Sequence, residues 1–571
     1  MYLSLSKVFI YIIVFFGFFL NFNAYSSSQK ILYSGKSISN YFSGIVSSKN
    51  NNNKLALKYF DNLEYLKNKH HQFNQEFVFT LVQENEFPEL FIFLKRLEKK
   101  NSNFFNANLL LGINYLLEKN YKRSENYFNL IIADKKFTNF QKLIAQQMLN
   151  HVKVFKTREY NSTSAINSVP KNYKNFVLIS DALMNCYLDD PGTEKSFLKI
   201  SDPSQLNFSR YKFFYVNFLL SKNRKSEAIK ILGENDNLFN SNILLNQTRM
   251  WLEQGNESKI KKIFNCKKPK HLVSEFFYLI ANLFSSEKRY ALSNFYVNIS
   301  LYLNPKFSFN KMLLAENYFF LEDYKNSEKI YSGFDFKDSL YSWFAKKRLV
   351  WIKSKIENEE SAINYLNKSF ENLKDPTIEN YLDLANFYKD FERYEDSIKY
   401  YTKVLNNINR DHPMYSKILH RRGMSYERIK MWEESEKDLI ESLNISPNEP
   451  YVLNYLAYSW LERNTNLDKS IEMLENAFLQ RKEDPYIIDS LGWGLYLTGR
   501  YEEAEKFLQK AVMLMPLDPI VNDHYGDILW KLNKNLQAIY FWNYVLNLEN
   551  VEDEMKDKIK KKLILGVQNN S

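Results

Sequence analysis

The chain has 571 residues, more than one compact core usually holds, so it is either several domains or a line of stacked units. Only 14 Gly and 13 Pro are spread along it, too few for the turn-dense connections of an all-β protein of this size, whereas Leu, Lys, Glu, Asn, Tyr and Phe recur at helical spacing. The net charge of +11 is a thin excess of 77 basic over 66 acidic side chains, accompanied by a general enrichment in Lys, Asn, Ile, Phe and Tyr, and gives no reason to invoke nucleic acid.

At the N-terminus, Lys7 precedes an apolar run from Val8 to Leu20, followed by Asn21, Phe22, Asn23 and Ala24. The run suits a signal-peptide core and falls short of the roughly 20 residues that span a bilayer as a helix. Residues 1–24 are therefore expected to be a signal peptide cut after Ala24, and the protein to be exported to a periplasm. Phe22 is bulky where a small residue is preferred, so an uncleaved inner-membrane anchor through residues 8–20 stays open. No Cys lies near the run, which excludes a lipid-anchored form.

Residues 25–160 read as degenerate helical repeats. Gly44, Ala56 and Phe60 share a spacing of 12 and then 4 with Gly112, Ser124 and Phe128, and 73–98 reads as a further hairpin. The polar stretch from Asn161 to Pro170 is expected to divide the array. Residues 161–272 follow as divergent hairpins, held over 207–265 by Val216 and Ala228. Cys186 and Cys266 are the only cysteines, which leaves no disulfide framework and no cysteine metal site. Two buried thiols are the plain reading, and one bridge is the alternative outside the cytoplasm.

From 273 to 550 the pattern is clearest. Ala281, Ala315, Val350, Ala385, Gly423, Ala457, Gly492 and Gly526 follow one another at intervals of 34, 35, 35, 38, 34, 35 and 34. A second small residue comes 12 later at Ser293, Ser327, Ala362, Ser397, Ser435, Ala504 and Ala538, and Ser470 is one residue late. Small residues at both positions let two helices approach closely, and a large residue four further on, such as Tyr331, Leu508 or Trp542, fills the flank one turn along. Pro305, Pro447 and Pro516 fall where the second helix of a pair should stop. Residues 551–571 read as a capping helix and tail.

With this period, and with Leu491, Gly492, Tyr501, Ala504, Leu508, Ala511 and Pro516 at matching positions, the chain resembles the tetratricopeptide repeat (TPR) family. The resemblance implies an all-α solenoid, a right-handed superhelix of antiparallel hairpins that forms an open spiral without a catalytic pocket. It further implies that the first helix of each pair lines a concave groove, at positions three and six before the first small residue and one and four after it. In the last four repeats these include Lys417, His420, Met424, Glu427, Tyr451, Asn454, Tyr458, Tyr486, Asp489, Trp493, Tyr496, Asp523, Asp527 and Trp530. Aromatics beside hydrogen-bonding groups suit peptide capture.

No phosphate-loop, H-E-x-x-H or G-x-S-x-G pattern occurs. Gly492, Gly494 and Gly499 belong to helix packing and a hairpin turn in this frame. His70 and His71 point about 100° apart on a helix and do not share an ion. Neither metal nor cofactor is expected, and the chain is read as non-enzymatic. It is expected to be a scaffold of the cell envelope that binds proteins or peptides and no nucleic acid. The alternatives are an interaction subunit of an envelope enzyme complex (peptidase, or polysaccharide synthesis or export) and a catalytic domain within 139–270. The cluster Lys259, Lys261, Lys262, Lys267, Lys268 and Lys270 reads as a solvated face, with peripheral contact to anionic lipid as its alternative.

Overall fold

A computed structural model describes residues 34–67, 69–99, 103–161, 173–201, 209–233, 242–334, 339–549 and 551–567. The expected signal peptide, and the polar stretch beyond Asn161, lie outside the described residues. The regular structure of the described residues is helical throughout, and consecutive helices pair as hairpins. The chain divides into two compact units, with the boundary between Ile356 and Glu357.

Each pair closes for the reason its spacing implies. A Cβ added to Gly492 would lie 2.7 Å from Leu508 Cγ, and one added to Gly526 would lie 2.4 Å from Trp542 Nε1. Gly44 meets Phe60, and Gly112 meets Phe128, in the same way. The first small residue thus receives the large side chain of the facing helix. In three hairpins the second small residue is a Ser that also clasps the pair, its hydroxyl donating to the carbonyl of the first, whereas Ser397 and Ser470 donate to Tyr394 O and Asn466 O instead. Ser124 Oγ reaches Gly112 O at 2.7 Å, Ser293 Oγ reaches Ala281 O at 2.7 Å, and Ser327 Oγ reaches Ala315 O at 2.9 Å.

Most of the turns share one device, the turn after Val350 being an exception. A residue with left-handed backbone comes seven after the first small position at Asn51, Lys119, Asn223, Lys288, Glu322, Glu392, Lys430, Gly499 and Asn533. The late Ser470 has a structural cause, since its turn contains two such residues, Asn464 and Asn466, and is one residue longer. The helices Tyr290–Leu303, Trp432–Ile445 and Tyr501–Leu514 each stop two residues before Pro305, Pro447 and Pro516. Asp484 and Asp518 cap the two helices that begin at Pro485 and Pro519, by accepting from two backbone N–H groups each.

In the first unit an open stack would keep early and late repeats apart, and they are not apart. The helix His71–Gln83 packs on Tyr290–Leu303: Phe79 stacks on Phe295 at 5.4 Å, Gln83 Nε2 donates to Ala291 O at 2.6 Å, and Asn298 Nδ2 donates to Gln83 O at 3.1 Å. From the next helix, Phe87 stacks on Tyr302 at 4.1 Å. The helix Asn139–Thr157 joins from another side through His151 on Phe276 and Phe140 on Phe284. Both helices of the Pro269–Leu303 hairpin are consequently buried around most of their circumference.

A buried ion pair fixes the same hub. Arg210 grips Glu275 with two N–H donors, both at 2.8 Å, gives a third hydrogen bond to Asn310 Oδ1 at 2.9 Å, and lies 3.6 Å over the Tyr278 ring. Burial opposes the Arg210 charge, but the Glu275 carboxylate outweighs it and the pKa is raised.

Within 139–270 the described residues form helices, among them the hairpins Lys174–Leu188 with Thr193–Ser201 and Ile243–Glu253 with Glu257–Ile263. Cys186 and Cys266 are joined as a disulfide, with Cα atoms 5.9 Å apart across 80 residues of sequence. The plain reading of two free thiols is thereby corrected: the divergent hairpins bring the end of one helix against the loop before Pro269, which sequence spacing alone does not reveal.

Candidate functional site

In the second unit the first helices of successive pairs are Tyr415–Arg428, Pro450–Glu462, Pro485–Leu497 and Pro519–Lys531. The predicted groove residues on them fall into two groups.

The first holds His420, Met424, Glu427 and Asn454, all half-buried. Tyr455, which the groove rule did not select, lies across His420 at 6.0 Å edge to face, and its hydroxyl donates to Glu427 Oε2 at 2.7 Å. His420 Nε2 and Asn454 Oδ1 are buried and bond to no protein atom among the described residues. Burial, then Arg421 and Lys389, push the His420 pKa down to about 4, so the ring is neutral at neutral pH.

The second group is a contiguous aromatic and acidic cluster of Tyr458, Asp489, Trp493, Tyr496, Asp523 and Asp527. Trp493 stacks on His524 at 4.0 Å and on Tyr496 at 4.7 Å, and its Nε1 donates to Glu462 Oε1 at 3.0 Å. His524 presents Nδ1 to both carboxylate oxygens of Asp489, at 3.2 and 3.0 Å. Burial lowers the His524 pKa, but Asp489, Asp523 and Asp527 more than compensate, so it is raised. The Tyr458 phenol is raised by burial and then by Glu462 and Asp489, and it stays protonated as a donor. Asp527 is pushed up to about 6 by burial and by Asp523, with Lys562 pulling the other way. Four carboxylates, those of Glu462, Asp489, Asp523 and Asp527, thus surround three aromatic rings.

Two lysines of the closing helix reach this cluster, Lys558 lying 3.6 Å from Asp523 Oδ2 and Lys562 seated deeper. The closing helix Asp553–Leu565 places Lys562 Nζ 2.6 Å from Asp523 Oδ1 and 2.7 Å from Asp527 Oδ2, with all three side chains buried. Trp542 Nε1 donates to the other oxygen of Asp527 at 3.2 Å. The groove residues of the last repeat are therefore engaged by the chain's own cap. Trp530 belongs to this arrangement, set against Trp542 at 5.4 Å and close to Gly566. Tyr451 is not part of either group: it is exposed, and its hydroxyl donates to Asp484 Oδ2 at 3.1 Å. Tyr486 and Lys417 are exposed.

The model of the tetratricopeptide repeat matches residues 378–409, which is the hairpin Ile378–Asp390 with Tyr394–Leu405. The chain thus carries a tetratricopeptide repeat. A curated TPR repeat-containing protein of Pseudomonas aeruginosa is 29% identical over 139 residues, a match that spans 24% of this chain and 22% of that relative. Among solved structures, a TPR protein of Parabacteroides merdae is similar over 44% of this chain and 97% of its own at 13% identity, with a TM-score of 0.37. A thermophilic TPR protein of Thermus thermophilus is similar over 33% of this chain and 100% of its own at 14% identity, with a TM-score of 0.29.

TPR arrays are protein-interaction architectures, and the remaining features agree with packing and capping. His70 Nδ1 accepts from Phe73 N and caps a helix, while His71 lies edge to face with Phe104. Gly492 and Gly494 face Leu508 and Ile471, and Gly499 has φ +78 in a hairpin turn. Among the described residues no group of three or more His, Cys, Asp or Glu side chains is placed to hold a metal, and no helix is long and apolar enough to cross a membrane. Sequence reasoning missed His524, Glu462, Tyr455 and Lys562. His524 lies on the groove helix two residues before Gly526, whereas Lys562 follows no repeat pattern and had no local signal.

Proposed function

We propose that the protein is a non-enzymatic scaffold of the cell envelope that holds a polypeptide segment bearing cationic side chains along the groove of its C-terminal repeats. The convergence of Glu462 and Asp489 with Tyr458 and Trp493, beside the Asp523 and Asp527 pair that the closing helix already occupies, carries this reading. Flat aromatic rings bury much area at low entropy cost, and partly desolvated carboxylates discriminate strongly for Lys or Arg. The seating of the Lys562 ammonium between two of these carboxylates illustrates the chemistry. Location outside the cytoplasm is supported by the apolar run behind Lys7 and by the Cys186–Cys266 bridge, since disulfides are rare in cytosolic proteins.

The test is a peptide array probed with the full chain. Bound peptides should be enriched in Lys and Arg, and Glu462→Gln with Asp489→Asn should remove that enrichment while leaving helicity intact. Enrichment of acidic peptides, or an unchanged profile in the double variant, overturns the reading.

A further inference from the structure

In the first unit the helices Ile243–Glu253, Glu257–Ile263 and Phe309–Phe320 and the start of Ser339–Ile356 line a solvent-open cavity of about 360 Å³. Its floor is aromatic. Trp251 and Tyr341 are buried with ring centroids 6.4 Å apart, and Phe309 and Phe334 stand against Tyr341 at 5.8 and 6.4 Å. Its rim is cationic: Lys259, Lys262, Lys306 and Lys311 line it together with Ser308, and no carboxylate among the described residues does. Lys259 lies 5.8 Å over the Trp251 ring. Lys262, Lys306 and Lys311 are exposed and form no ion pair among the described residues, unlike nearby Lys267, which is paired with Asp189. Ser308 begins the helix Phe309–Phe320, and its hydroxyl caps no backbone N–H.

Lys262, Lys306 and Lys311, gathered over a low-dielectric floor, repel one another. A ligand with more than one negative charge reverses that sign. A phosphate monoester carries about −1.5 to −2 at neutral pH and offers three acceptor oxygens, and lysine binds such a group as a point charge without requiring a planar fork. The volume lies within the range of small-molecule sites, and the rings offer a surface for a flat or apolar organic part.

We infer that this cavity is a binding site for a phosphate monoester whose organic part rests on Trp251 and Tyr341, held by Lys259, Lys262, Lys306 and Lys311. The site is independent of the groove in the second unit. Its ligand is either a soluble phosphate ester or the phosphomonoester headgroup of a lipid.

The experiment titrates the full chain with phenyl phosphate and with benzoate by calorimetry, and measures co-sedimentation with phosphatidylcholine vesicles with and without phosphatidic acid. The variant Lys262→Gln/Lys306→Gln/Lys311→Gln changes exposed side chains only and retains the fold; Lys→Arg at the same three positions keeps the charge. Phenyl phosphate should bind at least about tenfold more tightly than benzoate, the Gln variant should lose about tenfold or more, and the Arg variant should retain most of the affinity. Binding to phosphatidic acid vesicles that the Gln variant loses, without binding of phenyl phosphate, assigns the site to a lipid headgroup. Equal affinity for benzoate and phenyl phosphate, or binding to neither phosphate source, overturns the inference, as does binding that the Gln variant leaves unchanged.

Discussion

The Trp493 indole lies 11° from parallel on the His524 imidazole, with ring centroids 4.0 Å apart. This contact links two successive groove helices, and His524 in turn faces Asp489 on the same helix as Trp493. Two adjacent repeats are therefore joined by a stack and an ion pair through one imidazole.

A dependence of stability on pH follows. The folded pKa of His524 lies above its ordinary 6.5, with burial opposing and Asp489 dominating among the causes. The stabilisation from this pair is complete below about 6.5 and is lost as pH rises through the folded value. Asp527 shares the sign in a lower window, between its ordinary 3.8 and about 6, because its protonated form is the favoured one in the fold. Urea midpoints taken upward from pH 6.5 should fall for the wild type and stay flatter for His524→Gln; parallel profiles would refute the assignment.

The close approach of paired helices makes a second prediction. Gly→Ala ordinarily stabilises a helix by roughly 1 kcal/mol. At Gly492 and Gly526 the new Cβ would collide with Leu508 and Trp542, at 2.7 and 2.4 Å. Overpacking of this kind costs about 1–3 kcal/mol, so Gly492→Ala and Gly526→Ala should both lower the denaturant midpoint. A raised midpoint in either would mean that the helices do not nest through these positions.

Much of this frame was legible in the sequence because close approach demands small residues, and Gly492, Ala504 and Leu508 satisfy that demand with side chains visible in the text. Hairpins with larger residues at those positions were harder to place. In His71–Gln83 with Phe87–Glu98 the equivalent pair is Val78 and Leu90, and in Ile243–Glu253 with Glu257–Ile263 it is Thr248 and Ile260, all four fully buried. What these pairs share with the clear repeats is the left-handed residue seven further on, Asn85 and Gly255, a signal that would have set their register. The contact of Phe79 with Phe295, the Cys186–Cys266 bridge and the seat of Lys562 had no local signature. Each depends on how many hairpins curve together, and no spacing within a single repeat encodes that.

The Arg210–Glu275 pair tests the hub of the first unit. Glu275→Ala leaves a guanidinium buried among Tyr278, Phe214 and Phe307. Removing one partner of a buried pair costs about 3–5 kcal/mol, whereas replacing both with apolar residues costs far less. Thermal unfolding of Glu275→Ala should show that loss, and Arg210→Met with Glu275→Leu should recover most of it. Equal destabilisation of the single and double variants would contradict the account.

The bridge between Cys186 and Cys266 predicts that unfolded, unreduced protein from cells has no thiol that reacts with maleimide, since these are the only cysteines in the chain. Cys186→Ser with Cys266→Ser should lower stability by about 2–4 kcal/mol. Full labelling of both thiols in protein taken directly from cells would contradict the bridge and the proposed location outside the cytoplasm together.

The role of the groove is tested most directly by photo-crosslinking in living cells. p-Benzoylphenylalanine is placed at Trp493 in one strain and at Leu536, a highly exposed residue on the second helix of the last repeat, in another. Irradiation should attach a discrete polypeptide to the chain labelled at Trp493 and none to the chain labelled at Leu536. The same adducts from both positions, or adducts from Leu536 alone, would contradict capture in the groove.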